Sequence, residues 1–153
     1  MDNASLADAY AAAKSAQDVA AALAVCHEDF VLDTPAFGTR SHGRAETAAQ
    51  LHAFFAAFPD YRVSVEGRLA GDDAVACWGV ATMTLRGPFL DILPTGRTAG
   101  LPFVSVFTAR DGLLTGERFY FDLATLCAQL GVPTNRMTAT LAAFRGETVE
   151  VHA

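Results

Sequence analysis

Residues 98–121 read TAGLPFVSVFTARDGLLTGERFYF. Two runs rich in β-branched and aromatic residues, Thr98 to Ala109 and Leu113 to Phe121, flank Arg110-Asp111-Gly112. The Asp-Gly pair supplies the positive-φ positions that a tight hairpin turn needs. Upstream the same texture occurs once more: Arg62 to Ala70, a Gly71-Asp72-Asp73 turn, then Ala74 to Leu85. Two hairpins of long strands therefore make an antiparallel sheet, and Gly87 to Gly96 is the loop that joins them.

Around this sheet the sequence turns helical. Residues 4–14 and 16–28 are Ala-rich, and Ser15 with Asp18 reads as a capping signal between them. Phe30 to Asp33 is a short strand, stopped by Thr34-Pro35 and a turn-rich stretch from Gly38 to Gly43. Leu51, Phe54, Phe55 and Phe58 then recur at i, i+3, i+4 and i+7, which predicts a third helix ending at Pro59. Downstream, Asp122 precedes LATLCAQLG, a helical run closed by Gly131 and Pro133. Residues 1–133 thus form one α+β domain, with helices segregated on one face of a curved antiparallel sheet. Residues 134–153 are its C-terminal tail, whose pattern does not decide between helix and coil even over Met137 to Phe144, the stretch nearest to a helix.

Hydrophobic residues make up 52% of the 153-residue chain and charged residues only 18%. With 11 Phe, that apolar surplus predicts an internal pocket or a subunit interface. A formal charge of -6 without basic clusters argues against nucleic acid and anionic membrane as partners. No apolar run approaches the length of a membrane span, and the first residues lack a cationic start with an apolar core. The expectation is a soluble cytoplasmic protein. Cys26, Cys77 and Cys127 are widely spaced in apolar surroundings, so each reads as a small buried hydrophobe. His27, His42, His52 and His152 show no ligand spacing, and no metal is expected.

Five pieces in order resemble the SnoaL-like polyketide cyclases of the NTF2-like superfamily: FVLDTPAFGTRSHGRAE (30–46), FFAAFPDYR (54–62), PTGR (94–97), ARDGLLTGERFYFD (109–122) and LCAQLGV (126–132). The spacing from Asp122 to Gln129-Leu130-Gly131 is the most specific part. The resemblance implies a cone-shaped fold with a pocket for a hydrophobic ring system, a homodimer, no cofactor, and an acid/base carboxylate at Asp122 for aldol closure. The histidine that those cyclases carry on the preceding strand is missing from LPFVSVFTAR (101–110). A more distant likeness to ketosteroid isomerases rests on Tyr10 and on Val31 to Asp33.

The candidate catalytic residues are therefore Asp122, Asp33 and Tyr10. Asp122 ends an apolar strand whose alternation puts Arg118, Tyr120 and Asp122 on one face. It is either a desolvated pocket acid with a raised pKa or a helix N-cap. A carboxyl above the ordinary value of about 3.9 marks the first and favours an enzyme, whereas a lowered one marks the cap and favours a binding module. Asp33 is a second acid/base or an Asx-turn residue, and Tyr10 an oxyanion donor or a packing residue. Trp78, Phe37, Phe54, Phe55, Phe58, Phe89, Phe103 and Tyr120 are candidate walls for a small hydrophobic ligand, and His42 is a candidate proton shuttle.

Overall fold

Asp2 opens α1 (Asn3–Ser15) by accepting a hydrogen bond from the Ser5 N–H at 2.8 Å, as an N-cap does in the computed structural model, which describes residues 1–147. Residues 148–153 of the expected tail lie outside the described residues. The buried stripe of α1 is Leu6, Ala7, Tyr10, Ala13 and Lys14, at helical spacing and with a lysine inside it.

The second helix is shorter than the sequence predicts. α2 spans Val19–Ala24, and its cap is Asp18, which accepts from the Ala21 N–H at 2.9 Å. The Ser15 hydroxyl instead accepts from the Val63 N–H at 3.0 Å and ties the end of α1 to the sheet. The early strand is correspondingly longer: β1 runs Cys26–Thr34 and pairs with a strand that the turn-rich reading hid, β2 (Thr39–His42). Pairing across the sheet overrode local propensity there, since Thr39, Arg40 and Ser41 carry no strong strand signal.

α3 (Gly43–Ala57) is capped at its C-terminus by Phe58, one residue before Pro59. Glu46 in its first turn accepts from the His42 N–H at 2.7 Å. The two long hairpins follow as β3 (Arg62–Ala70) with β4 (Ala74–Thr84), and β5 (Thr98–Arg110) with β6 (Leu113–Tyr120). At the second turn Asp111 and Gly112 have φ of 54° and 75°, the left-handed pair expected from Asp-Gly. The loop between the hairpins carries a single bridge, Phe89 to Ile92.

The strands form one six-stranded sheet in the order β2-β1-β6-β5-β4-β3, antiparallel except for the β1–β6 pair. α4 (Leu123–Leu130) and α5 (Thr134–Phe144) complete the chain. Gly131 ends α4 at φ 73°, a conformation that costs glycine little, and the Val132 N–H reaches the Cys127 carbonyl.

Alternation along β5 and β6 sorts the side chains by face. Leu101, Phe103, Ser105 and Phe107 point inward from β5, and Leu114, Glu117 and Phe119 from β6. The outer face carries Trp78, Val104 and Tyr120 in a row on adjacent strands, all partly exposed. Gly67 makes room for the Trp78 indole, because a Cβ there would lie 2.4 Å from the ring. No helix among the described residues is long and apolar enough to cross a membrane.

Candidate active site

Two charged side chains meet inside the apolar core. Lys14, one turn beyond Tyr10 on α1, places its ammonium 3.2 Å from Oε1 of Glu117 on β6, and the two side chains are 8% and 2% exposed. The Ser105 hydroxyl on β5 donates to the other carboxylate oxygen at 2.9 Å. The ammonium also sits 5.1, 5.6 and 5.0 Å from the ring centres of Tyr10, Tyr61 and Phe119, so three aromatic faces share its charge.

The electrostatics follow from that packing. Burial pulls the Lys14 ammonium down, but the Glu117 carboxylate and the Tyr61 phenol together outweigh it, and the net shift is upward. Burial, reinforced by the Glu117 charge, pushes the Tyr10 phenol well above its usual range. Burial also drives Tyr61, up to about 12, against the opposing pull of Lys14. At neutral pH the site therefore holds a fixed cation and two neutral phenols, which are all donors. The Tyr10 hydroxyl is buried without a hydrogen-bond partner, an orphan donor beside the pair. Burial pushes the Cys26 and Cys77 thiols to about 12 and about 11, so neither is a nucleophile.

The space around this pair is divided. A void of about 10 Å³ lies among Tyr10, Lys14, Tyr61, Ser105 and Glu117. Next to it is a chamber of about 50 Å³, bounded by Lys14, Tyr61, Phe119 and Phe121 on one side and by Phe37, Gln50 and Phe54 on the other. Beyond those last three residues opens a groove of about 630 Å³ between α3, the β1–β2 turn and the end of α5.

The residues singled out from sequence fall in several places. Asp122 caps α4, with one carboxylate oxygen accepting from the Thr125 N–H at 2.9 Å and from the Thr125 hydroxyl at 2.5 Å. Those two hydrogen bonds, side chain first, hold its pKa below the ordinary carboxylate range. Asp33 pairs with Arg40 across the β1–β2 hairpin at 2.9 Å. Tyr10 is the one of the three proposed catalytic residues that stands in the buried cluster.

Phe37, Phe54 and Phe89 line the groove, and Phe103 lines the innermost void, stacked on Phe119. Phe55 and Phe58 pack behind Phe54 in the core. Trp78 and Tyr120 lie on the outer face of the sheet, away from these walls. His42 sits exposed at the start of α3. The described residues include no group of three or more His, Cys, Asp or Glu able to share a metal ion.

Sequence reasoning missed Lys14 and Glu117, although a signal for each was present. Lys14 falls on the buried stripe of α1, and Glu117 shares the inner register of β6 with Leu114 and Phe119. The opposite register, Arg118, Tyr120 and Asp122, faces outward.

A family model for SnoaL-like polyketide cyclases matches residues 4–130. A search of curated proteins returns no match. Among solved structures, a candidate SnoaL-like polyketide cyclase from Jannaschia sp. CCS1 superposes with a TM-score of 0.78 at 22% identity, over 86% of this chain and 92% of that one. A hypothetical protein from Catenulispora acidiphila with a ketosteroid isomerase-like fold, in complex with trimethylamine, gives 0.76 at 19% identity, over 85% and 95%. IdmH from Streptomyces antibioticus, a candidate polyketide cyclase, gives 0.73 at 24% identity, over 86% and 100%. At these identities the superpositions establish a shared NTF2-like fold.

Proposed function

The chain belongs to the SnoaL-like polyketide cyclase family, and from that premise we propose that it is a cofactor-independent acid/base enzyme for a small, flat, hydrophobic carbonyl compound. The reaction class is proton abstraction next to a carbonyl, followed by ring closure or isomerisation. The observation that carries this reading is the buried Lys14–Glu117 pair, in which Lys14 lines the inner apolar chamber and Glu117 borders the small void next to it.

A buried ion pair is weak evidence for a stabilising role, because desolvating two charges costs about as much as their attraction returns. Its place in a cleft with an orphan phenol is what an acid/base site looks like. In the proposed step the Lys14 ammonium donates a hydrogen bond to the substrate carbonyl oxygen. The Glu117 carboxylate takes the proton from the neighbouring carbon, and the C–H electrons move into the enolate, whose oxygen faces the ammonium. Tyr10 is the second donor available nearby. The enolate carbon then attacks a second carbonyl of the same molecule or is reprotonated at another position. The ammonium thereby stabilises the enolate oxygen while the carboxylate beside it acts as the base.

One observation favours a second reading, in which the pocket binds such a compound without turning it over. Asp122, the carboxylate singled out by the family resemblance, caps a helix with a lowered pKa. Hydrogen–deuterium exchange at the carbon next to the carbonyl of indanone separates the two. The enzyme reading expects the protein to accelerate exchange, and Lys14→Met to reduce that acceleration about a hundredfold or more; binding without acceleration supports the second reading. The exposed row Trp78, Val104 and Tyr120 supports assembly as a homodimer through the outer sheet face, which sedimentation of a Tyr120→Glu variant tests.

A further inference from the structure

A leucine occupies a left-handed corner in the loop between the two hairpins. Phe89 and Ile92 exchange both backbone hydrogen bonds, each at 2.9 Å, so Leu90 and Asp91 form a two-residue reverse turn. Leu90 has φ 55°, and Asp91 does not share the positive value. A positive φ at the first central residue alone is the type II′ pattern, in which glycine normally takes that place. A leucine there strains the backbone, and such strain persists only where its surroundings over-determine it.

The surroundings here are a clamp from α5. The Thr140 hydroxyl donates to Asp91 Oδ1 at 2.6 Å, and Arg136 Nη1 donates to the same oxygen at 3.3 Å. Arg136 Nη2 lies 3.2 Å from Asp91 Oδ2 and donates to the Asp91 backbone carbonyl, also at 3.2 Å. Arg136 and Thr140 are one helical turn apart, so a single face of α5 presents both. Thr140 first, and Arg136 after it, hold the Asp91 carboxyl below its ordinary value.

The ends of the loop are fixed independently of this clamp. The Arg86 and Gly87 N–H groups donate to the Ala57 carbonyl at 3.0 and 3.1 Å, and a Cβ on Gly87 would lie 2.2 Å from the Ala56 carbonyl oxygen. At the other end the Gly96 N–H donates to the Leu85 carbonyl at 2.9 Å, and the Thr95 hydroxyl to the Leu130 carbonyl at 2.7 Å. Buried Ile92 roots the turn in the core. The tip differs: Leu90 and Asp91 are exposed, and Phe89 and Leu90 form part of the groove wall.

We infer that residues 89–91 are a sprung flap on the groove wall, with α5 as its catch. While Arg136 and Thr140 hold Asp91, the turn stays closed over its strained leucine. The Phe89 ring then rests 5.2 Å from Phe37 and 5.9 Å from Phe58 between centres, and Phe37 is buried. When the catch opens, Leu90 leaves the left-handed region, the two bonds between Phe89 and Ile92 break, and the tip lifts off Phe37. Glycine at position 90 would rest in the turn without help, so the leucine is what makes the flap two-state. The flap sets how wide the groove stands, whatever chemistry the inner pair carries out.

Amide hydrogen exchange, followed by NMR on the full chain, tests this. Arg136 is exposed, so Arg136→Met spares the core. It is expected to speed exchange at the Phe89 and Ile92 amides about tenfold or more, with the Arg86, Gly87 and Gly96 amides unchanged. In the same variant, relaxation of the Phe37 ring protons by a soluble gadolinium chelate should rise severalfold. Adding Leu90→Gly to Arg136→Met should bring both readouts back toward wild type, which loss of an ordinary surface contact would not do. Unchanged exchange at Phe89 and Ile92 in Arg136→Met overturns the inference, as does a rise that extends equally to Arg86, Gly87 and Gly96. Unchanged Phe37 relaxation overturns it as well, and a double variant that exchanges as fast as Arg136→Met shows that no strain drives the tip.

Discussion

Glu117 and Asp122 are carboxylates on a single run of chain, and the molecule treats them in opposite ways. Glu117 points inward from β6, is almost wholly buried, and is held by Lys14 and Ser105. Asp122 follows the end of the same strand in the outward register and commits one carboxylate oxygen to the first turn of α4. The difference comes from the two-residue period of a strand, since positions an odd number apart face opposite ways. Carboxylate chemistry is decided by which face is dry, not by nearness in sequence.

The largest expected effect follows from breaking the inner pair. Glu117→Gln leaves the Lys14 ammonium buried without its partner, and the cost should be about 3–5 kcal/mol in urea denaturation. The double variant Lys14→Met/Glu117→Gln removes both charges and should recover most of that loss. If the single variant is as stable as wild type, the pair is not desolvated as described.

Alkali sharpens the contrast next. The folded pKa of Lys14 is raised above the ordinary 10.5, so its contribution to stability is fully present below that value and is lost as pH climbs through the higher folded one. Melting temperature should therefore decline in alkali more steeply than in the Lys14→Met/Glu117→Gln variant, which keeps only the decline from the buried phenols and thiols. Asp122 works at the other end of the scale. Its folded pKa is lowered from 3.8, so its contribution is present above that value and is lost as pH falls through the lower folded one.

The smallest effects belong to the outer carboxylate. Asp122→Ala removes a helix cap and should lower the melting temperature by a few degrees, whereas Asp122→Asn, a good cap itself, should leave it nearly unchanged. A large loss of stability in Asp122→Asn would show that the charge does more than cap α4.

The fold was legible in the sequence because its strongest signals are local. Asp111-Gly112 fixed one hairpin, the Leu51 to Phe58 spacing fixed α3, and Gly131 with Pro133 fixed the end of α4. What escaped depends on partners distant in the chain. β2 is a strand because β1 lies beside it, and Asp18 rather than Ser15 caps α2 because Ser15 is drawn to Val63. The site was legible only in part for the same reason. Tyr10 stands in the buried cluster, and Phe37, Phe54 and Phe89 line the groove. The pairing of Lys14 with Glu117 joins residues 103 positions apart and needs the packed sheet to reveal it.

The central claim is that the reacting end lies at Lys14 and Glu117 and not at Asp122. Deuterium exchange of indanone, followed by proton NMR with the wild type, Asp122→Asn and Lys14→Met/Glu117→Gln, tests it most directly, because both variants are expected to fold. The account predicts that Asp122→Asn exchanges at close to the wild-type rate and that the double variant falls to the uncatalysed rate. Exchange retained in the double variant and lost in Asp122→Asn would contradict it.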